Sequence, residues 1–280
     1  METLKICALC QQPAHLLGSH ILPAFIFRDA RKVSTTGYFR STVNPNQRLQ
    51  DGPKLRLLCA DCEAKFCQFE AEFSSKLYYE ALKPSDKIEY SDYLIKFCTS
   101  ISWRILKFYS PNADIYSETE VSSSERAELK WRNYLMSVDK SPGEYEQYIF
   151  YLGNTEINIV DDVDLPLNQY LRCGIDLAIV NSDQALLTYA KFGNFALLGK
   201  IKGSAFPRSD RVGLKSGYVR CSNLPIPLAY IFRDRAELIR KSREKISGTQ
   251  SNKIIDTVKR DLNRVINSRL FQARLVDEKL

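Results

Sequence analysis

The chain has 280 residues, of which 44% are hydrophobic and 26% are charged. Such a composition is ordinary for a globular protein and argues against disordered, collagen-like and membrane-spanning chains. The formal net charge is +7, and the basic excess lies in residues 1–62 and 228–280. A basic balance of this size is compatible with a nucleic-acid partner without establishing one.

Nothing in the sequence suggests export or a membrane. The N-terminal residues lack the basic-then-apolar pattern of a secretory signal, and no apolar run approaches the roughly 20 residues that cross a bilayer. We therefore expect a cytoplasmic protein without a membrane partner, in which thiols stay reduced. Four of the eight cysteines form two C-x-x-C pairs. The other four, predicted to be small buried hydrophobic residues, are Cys67, Cys98, Cys173 and Cys221.

The predicted elements change in character along the chain. Residues 1–62 read as a module of loops and short strands. An apolar stripe from Phe66 to Leu77 then predicts a helix that Pro84 ends. A second stripe, Leu94 to Phe108, predicts another helix, and Ser122–Arg126 a third helix start.

The next section is predicted to be β-rich. Turn residues at 153–154 and 182–183 each separate two strand-like runs, at 146–152 and 156–161 and at 171–181 and 184–191. Residues 194–201 form another strand-like run. Residues 228–280 are predicted to be helical again.

These patterns predict an α+β fold. Its parts are an N-terminal metal-stabilised module at 1–80, a helical section at 81–140, and a β-rich domain with basic C-terminal helices at 141–280. The section at 141–280 is a candidate for binding substrate, a partner protein or a second copy of the chain.

The strongest signal for chemistry is the pair of C-x-x-C motifs, formed by Cys7, Cys10, Cys59 and Cys62. Zinc prefers four such ligands in a tetrahedron, and two short pairs supply them with little distortion. The 48 residues between the pairs exceed the spacing of a simple zinc ribbon, so a further segment is inserted within the site. The alternative is four unrelated core cysteines.

The residues between the two cysteine pairs include Gly-Ser-His-Ile-Leu-Pro at 18–23, and the second pair stands in Leu-Leu-Cys-Ala-Asp-Cys-Glu at 57–63. With the cysteine pairs, these motifs resemble the HNH endonucleases, the ββα-metal nucleases, in the version stabilised by a four-cysteine zinc. The resemblance covers residues 7 to about 75. It implies a ββα-metal module that cleaves phosphodiester bonds in DNA or RNA. In this family, such modules fused to other domains serve in mobile elements or anti-phage defence.

The resemblance also implies roles for single residues. His20 stands where the family has its general base, and histidine suits proton transfer near neutral pH. Ser19 stands where the family has a metal-binding aspartate or histidine, and Glu63 where it has the last histidine or asparagine. A carboxylate at Glu63 suits a hard ion such as Mg²⁺. Lys54 stands near the position of the family's middle asparagine. Asn44 and Asn46 are the candidates to take the role of that asparagine.

The sequence offers a second carboxylate for such an ion. Glu63 and Glu70 are seven residues apart on the helix predicted after Cys62, so they project from nearly the same face. They are expected to rebuild a metal site that lacks the aspartate. The alternative is that Glu70 is a surface acid.

Basic residues near the two chain ends are candidate phosphate contacts. Lys253 and the other C-terminal residues lie off an apolar stripe from Ile254 to Ile266, so a solvated surface is the alternative. Tyr38-Phe39-Arg40 is a candidate surface for stacking bases. The predicted nucleic-acid contacts are Arg28, Arg31, Lys32, Arg40, Lys259, Arg260 and Arg264.

Two functions remain open. The first is a metal-dependent nuclease with His20 as base, structural Zn²⁺ and a catalytic divalent ion. The second is a non-catalytic zinc-stabilised module that binds nucleic acid or protein, which the departures at Ser19 and Lys54 favour. His15, the other histidine, is expected to be structural or a spare ligand.

Overall fold

The computed structural model describes residues 3–83, 87–110, 117–153, 165–203, 206, 208–220 and 225–278. The fold is α+β, as predicted. The helices are α1 (Ala24–Val33), α2 (Ala60–Phe73), α3 (Tyr93–Tyr109), α4 (Glu118–Leu135), α5 (Leu167–Cys173), α6 (Ile226–Glu244), α7 (Gly248–Arg260), α8 (Leu262–Ile266) and α9 (Arg269–Asp277). The strands are β1 (Lys5–Ile6), β2 (Pro13–Ala14), β3 (Leu17–His20), β4 (Lys54–Leu58), β5 (Lys87–Tyr90), β6 (Gln147–Tyr151), β7 (Asp176–Asn181), β8 (Ala185–Phe192), β9 (Phe195–Gly203) and β10 (Gly217–Arg220).

A four-stranded antiparallel sheet in the order β6-β9-β8-β7 is the largest sheet of the described chain. Most residues of its inner strands are buried, on both faces of the sheet, which is the pattern of a sheet covered on both sides. Ile149 and Leu197 belong to a core cluster shared with α3, whereas Phe150 and Leu198 belong to a cluster shared with α5 and α6. The sheet therefore lies between helices on both sides.

Helix α3 is the central helix. Nearly every residue from Tyr93 to Leu106 is buried, because α3 packs against α2, α4 and the sheet at once. A helix that is apolar around its circumference is expected to be buried in this way. The Trp103 ring packs edge-on against Phe66 of α2 and also meets the cluster that contains Cys7 and Cys62. Helix α3 thus joins the cysteine region to the sheet.

The N-terminal part consists of two small antiparallel strand pairs and two helices. β1 pairs with β2, and β3 pairs with β4, with His20 opposite Lys54. The segment between β3 and β4, residues 21–53, is here named the inserted segment, and it contains α1. This helix was not predicted from the sequence, although its apolar residues Phe25 and Ile26 are buried.

Most predicted strands and helices are present with shifted ends. The turn at 182–183 joins β7 to β8, whose register pairs Asn181 with Leu186. The helix predicted to start near Ser122 begins at Glu118, because Ser117 and Glu120 form a reciprocal capping box. The predicted strand at 156–161 lies outside the described residues. Within the described residues, β6 pairs with β9.

The C-terminal section is helical, as predicted, but the stripe from Ile254 to Ile266 is not one helix. The chain bends at Asp261, which caps α8 by accepting a hydrogen bond from the Arg264 amide. Of the stripe residues only Val265 is buried. Among the described helices, none is long and apolar enough to cross a membrane.

Candidate functional site

The four predicted zinc ligands lie together. The Sγ atoms of Cys7, Cys10, Cys59 and Cys62 are all within 4.8 Å of one another, and those of Cys10 and Cys59 are 3.8 Å apart. With a Zn–S distance of about 2.3 Å, tetrahedral geometry places sulfur atoms about 3.8 Å apart. The donor chemistry and the spacing therefore fit one zinc ion.

Local backbone structure brings the two cysteine pairs together. Cys7 and Cys10 lie in the turn between β1 and β2, where Gln11 takes a left-handed conformation (φ 60°) and its amide donates to the Cys7 carbonyl at 2.9 Å. Cys59 caps α2 and Cys62 stands in its first turn. The Ala8 amide donates to the Leu57 carbonyl at 3.0 Å and so ties the first turn to β4.

The protein surroundings favour a thiolate at Cys7. Burial raises the pKa of this thiol, but backbone N–H groups, including those of Cys10 and Cys59, lower it to about 7. Burial and the neighbouring Cys59 thiol raise the pKa of Cys62. Zinc binds the deprotonated sulfur, so backbone amides that stabilise the Cys7 thiolate also favour zinc binding. His15 is exposed and is not part of this cluster.

His20, the last residue of β3, makes a side-chain hydrogen bond to Asp51. Its Nε2 lies 2.7 Å from Oδ1 of Asp51, and the Lys54 ammonium lies 2.7 Å from Oδ2 of the same carboxylate. Partial burial raises the pKa of Asp51, but hydrogen bonds from Lys54 and His20 outweigh it and bring the value to about 2. Asp51 is therefore ionised at neutral pH and acts only as an acceptor.

The imidazole of His20 lines a cleft of about 400 Å³. One wall is the exposed face of α1, which supplies Arg28 and Arg31 at a spacing of one helical turn. The cleft also contains Ala24, Phe27, Gln50 and Asp51. Neither arginine side chain makes an ion pair with the residues that the structure describes. The cleft thus combines a histidine, an ionised carboxylate and two uncompensated cations.

The backbone at Gly52 packs against the Phe27 ring and so positions the loop that carries Asp51. The Phe27 ring stacks on His20 at 6.0 Å between centroids and on Phe39 at 5.9 Å. Gly52 packs directly against that ring, and any Cβ at this position would overlap it. Glycine is required here because only a residue without a side chain leaves Asp51 within reach of His20.

Ser19 and Glu63 contact each other. The Ser19 hydroxyl donates to the Glu63 carboxylate at 2.6 Å, and Ser19 is completely buried. Adjacent residues of a strand point to opposite faces, so Ser19 faces α2 whereas His20 faces Asp51 and α1. The two residues at the family's metal-ligand positions are therefore neighbours, on the other face of β3 from the His20 imidazole.

Glu70 has a different partner. Its carboxylate lies 2.8 Å from Nη1 of Arg104, a residue of α3 that is only 1% exposed. The same Nη1 donates to the His20 carbonyl at 3.0 Å. Within the described residues, the cysteine tetrad is the one cluster of three or more His, Cys, Asp and Glu ligand atoms, so Glu63, Glu70 and His20 do not converge.

The predicted basic contacts fall into two groups. Arg28, Lys32, Lys259 and Arg260 are exposed, and Arg31 is half-buried at the cleft. Arg40 and Arg264 are engaged within the chain, since Arg40 donates to Gln250 at 3.0 Å and Arg264 donates to the carbonyls of Arg31 at 2.8 Å and Ser34 at 3.2 Å.

The predicted stacking surface and the two substitute asparagines are also occupied. Tyr38 is 8% exposed, and the guanidinium groups of Arg40 and Arg48 lie over its ring, so it offers no free face for a base. Asn46 bonds to the backbone of Lys245 and Ser247, and Asn44 to Gln47.

Sequence reasoning missed Asp51 and Arg104. The signal for Asp51 was an Asp-Gly turn at 51–52, just before the strand that the structure shows as β4. The signal for Arg104 was a cation inside the apolar stripe that ends at Phe108. Comparisons of the chain with protein-family models, with curated proteins and with solved structures found no match.

Proposed function

We propose that this protein is a nuclease of the HNH type that hydrolyses phosphodiester bonds in DNA or RNA, with His20 as general base. One observation carries the proposal. The His20 imidazole is held 2.7 Å from Asp51 inside a cleft that Arg28 and Arg31 line. A base oriented by a second group and placed beside cations is the arrangement that hydrolysis of a phosphate ester requires.

The tautomer of His20 follows from its partner. An ionised carboxylate only accepts, so Nε2 of the neutral imidazole carries the proton and donates it to Asp51. The Nδ1 lone pair is then free to accept a proton. In the proposed step a water oxygen attacks phosphorus, its proton passes to Nδ1, and the bond from phosphorus to the leaving oxygen breaks. The leaving oxygen takes its proton from a solvent water, and His20 later returns the proton on Nδ1 to solvent.

The two cleft arginines have a place in the same step. Guanidinium groups bind phosphate oxygens in a bidentate manner and stabilise the negative charge that grows as water attacks. Arg28 and Arg31 stand on one face of α1 with no ion pair to the described chain, so both are available to a phosphate.

The zinc-binding tetrad supports the proposal through its position. β3, β4 and α2 occur in this order along the chain, with α1 between the two strands, and Cys59 lies at the junction of β4 and α2. A zinc ion held by the four thiolates would fix this junction, and with it the strand that carries His20.

The catalytic divalent ion fits only in part. Ser19 and Glu63 are the residues that would hold it, and Mg²⁺ accepts one carboxylate together with phosphate oxygens and water. Such an ion would stabilise charge on the scissile phosphate. Glu70 is paired with Arg104 instead, and the Ser19–Glu63 pair faces away from the imidazole. The step above therefore uses the chain's own residues.

The test is a cleavage assay on supercoiled plasmid and on RNA in Mg²⁺-containing buffer, with wild type and the His20→Ala variant. We expect nicking or degradation by wild type and none by the variant. His15→Ala is the matched control, because His15 is exposed and outside the site. Absence of cleavage by zinc-loaded wild type on both substrates would contradict the proposal.

The Glu70–Arg104 pair favours the second candidate, a zinc-stabilised module that binds nucleic acid without cutting it. Binding of plasmid or RNA by wild type and by His20→Ala with equal affinity, and without cleavage, would be its signature.

A further inference from the structure

Helix α7 lies alongside the inserted segment. Before its first turn, the Ser247 amide donates to the Asn46 side chain at 2.9 Å, and Gln250 accepts from Arg40 at 3.0 Å. Just beyond its other end, Arg264 of α8 binds the carbonyl of Arg31 at 2.8 Å. One end of α7 is therefore attached to the chain that follows α1, and the contact just beyond its other end is to α1 itself.

These attachments are polar, and α7 itself contributes no buried residue. Its Lys253, Lys259 and Arg260 are exposed and make no ion pair with the residues that the structure describes. Asp256 shares their face without pairing with them. A helix that buries nothing and presents cations without an ion pair near the cleft of Arg28 and Arg31 is suited to contact a polyanion.

Arg264 has a different role from these three residues. Its guanidinium donates to two backbone carbonyls at the end of α1, those of Arg31 and Ser34, and it also lies against Gly37. A guanidinium used in this way caps the α1 carbonyls and is not free for a phosphate. Arg264 is thus an anchor that fixes α8, and through it α7, to the cleft.

We propose that α7 extends the cleft into a nucleic-acid-binding surface, in which Lys253, Lys259 and Arg260 contact backbone phosphates next to those bound by Arg28 and Arg31. This inference rests on the proposed function only in taking nucleic acid as the ligand. The substrate is then a polymer that reaches beyond the cleft, and not a single nucleotide. Phosphate contacts carry no sequence information, so the surface sets affinity and register.

The test is fluorescence anisotropy with a fluorescein-labelled DNA duplex, at several salt concentrations, in the full-length His20→Ala protein. The triple variant Lys253→Gln, Lys259→Gln, Arg260→Gln is compared with a control that removes the same charge elsewhere. The control carries Lys140→Gln, Lys202→Gln and Lys215→Gln, at three exposed positions.

Each phosphate contact contributes about 0.9 to the slope of log K against log salt, so the α7 variant should flatten the slope by about 2.7. The control should leave it unchanged. Equal slopes and affinities for the two variants, or no duplex binding by the parent, would overturn the inference. The two proposals can fail separately. If the His20→Ala protein binds the duplex with the expected salt dependence while wild type does not cleave, the proposed function is refuted and the α7 surface is supported.

A second measurement tests the anchor. Arg264→Gln should speed amide hydrogen exchange in residues 31–37 and in α7, whereas Arg260→Gln should not. Unchanged exchange in Arg264→Gln would show that this contact does not hold α7, which contradicts the proposed surface.

Discussion

The Arg104 guanidinium and the Glu70 carboxylate form a buried ion pair, with Nη1 of Arg104 2.8 Å from Oε1 of Glu70. The same nitrogen donates to the His20 carbonyl at 3.0 Å, and the Arg104 guanidinium lies over the Phe66 ring at 5.2 Å. Glu70 therefore serves as the counterion of an arginine that holds the end of β3. The central helix α3 is in this way connected to the strand that carries the candidate base.

Removing one partner of this pair should be costly. Arg104→Met leaves the Glu70 carboxylate without its cation and the His20 carbonyl without its donor. Breaking a buried pair typically costs about 3–5 kcal/mol of unfolding free energy. Chemical denaturation of the variant measures the loss.

The double variant Arg104→Met, Glu70→Gln supplies the control for this interaction. It removes both charges together, so it should be less destabilised than the sum of the two single variants. Strict additivity of the three free-energy changes would contradict a direct pair.

The cysteine tetrad should hold one zinc ion per chain. Cys59→Ser should lose the ion and unfold the N-terminal part, since structural zinc contributes on the order of 10 kcal/mol in small modules. Metal analysis and thermal melting check this. Cys67→Ser is the matched control, because Cys67 lies exposed on the same helix, where the sequence had wrongly predicted burial, and should change neither. Purified protein without zinc would rule the site out.

The His20–Asp51 contact makes a prediction for nuclear magnetic resonance. The chain has two histidines, so their ring nitrogens are simple to assign with His15→Ala. His20 should be found as the tautomer with the proton on Nε2. Gly52→Ala should weaken that preference, because a methyl group would collide with Phe27 and push the Asp51 loop away. An Nδ1-protonated His20 in wild type would contradict the proposed base.

Burial of Lys191 makes stability depend on pH. Lys191 is completely buried and donates to the Gly193 carbonyl. Burial lowers its pKa from 10.5 to about 7, with Cys173 and Asp176 opposing that shift and Arg269 adding to it. Between these two pKa values the unfolded chain binds more protons, so this group destabilises the fold most below pH 7, and the penalty falls as pH rises toward 10.5.

Lys191→Met isolates that contribution from the other groups that titrate in the same range. The variant should gain most stability over wild type near neutral pH, and the gain should shrink as pH rises. Denaturation curves at several pH values measure the difference. A pH-independent difference would show that Lys191 does not titrate in this window.

The cysteine spacing was enough to predict the tetrad, because two C-x-x-C pairs in one chain are typical of a four-cysteine zinc site. Apolar runs between turn residues predicted β8 and β9, and apolar stripes at steps of three and four predicted α2 and α3. These features depend on short sequence patterns, so the sequence alone was enough to predict them.

The contacts around His20 are not local, and this is why they were not predicted. Asp51 reaches His20 across 31 residues, and Arg104 reaches its carbonyl across 84. Helix spacing predicted that Glu63 and Glu70 share one site, but Glu63 accepts from Ser19 and Glu70 pairs with Arg104. Which cation faces Glu70, however, depends on how α3 packs, and helix spacing does not contain that information. In the same way, the sequence alone predicts that Arg264 is a surface charge, because its contact with the end of α1 depends on how α8 packs.

The central claim is that His20 accepts the proton from the attacking water. It is tested most directly by single-turnover cleavage rates of wild type, His20→Ala and His15→Ala, each loaded with zinc and shown to be folded. Loss of a general base lowers the rate by about 10²–10⁴-fold, so His20→Ala should fall by that factor while His15→Ala keeps the wild-type rate. Equal rates for wild type and His20→Ala would contradict the account and place the chemistry elsewhere in the chain.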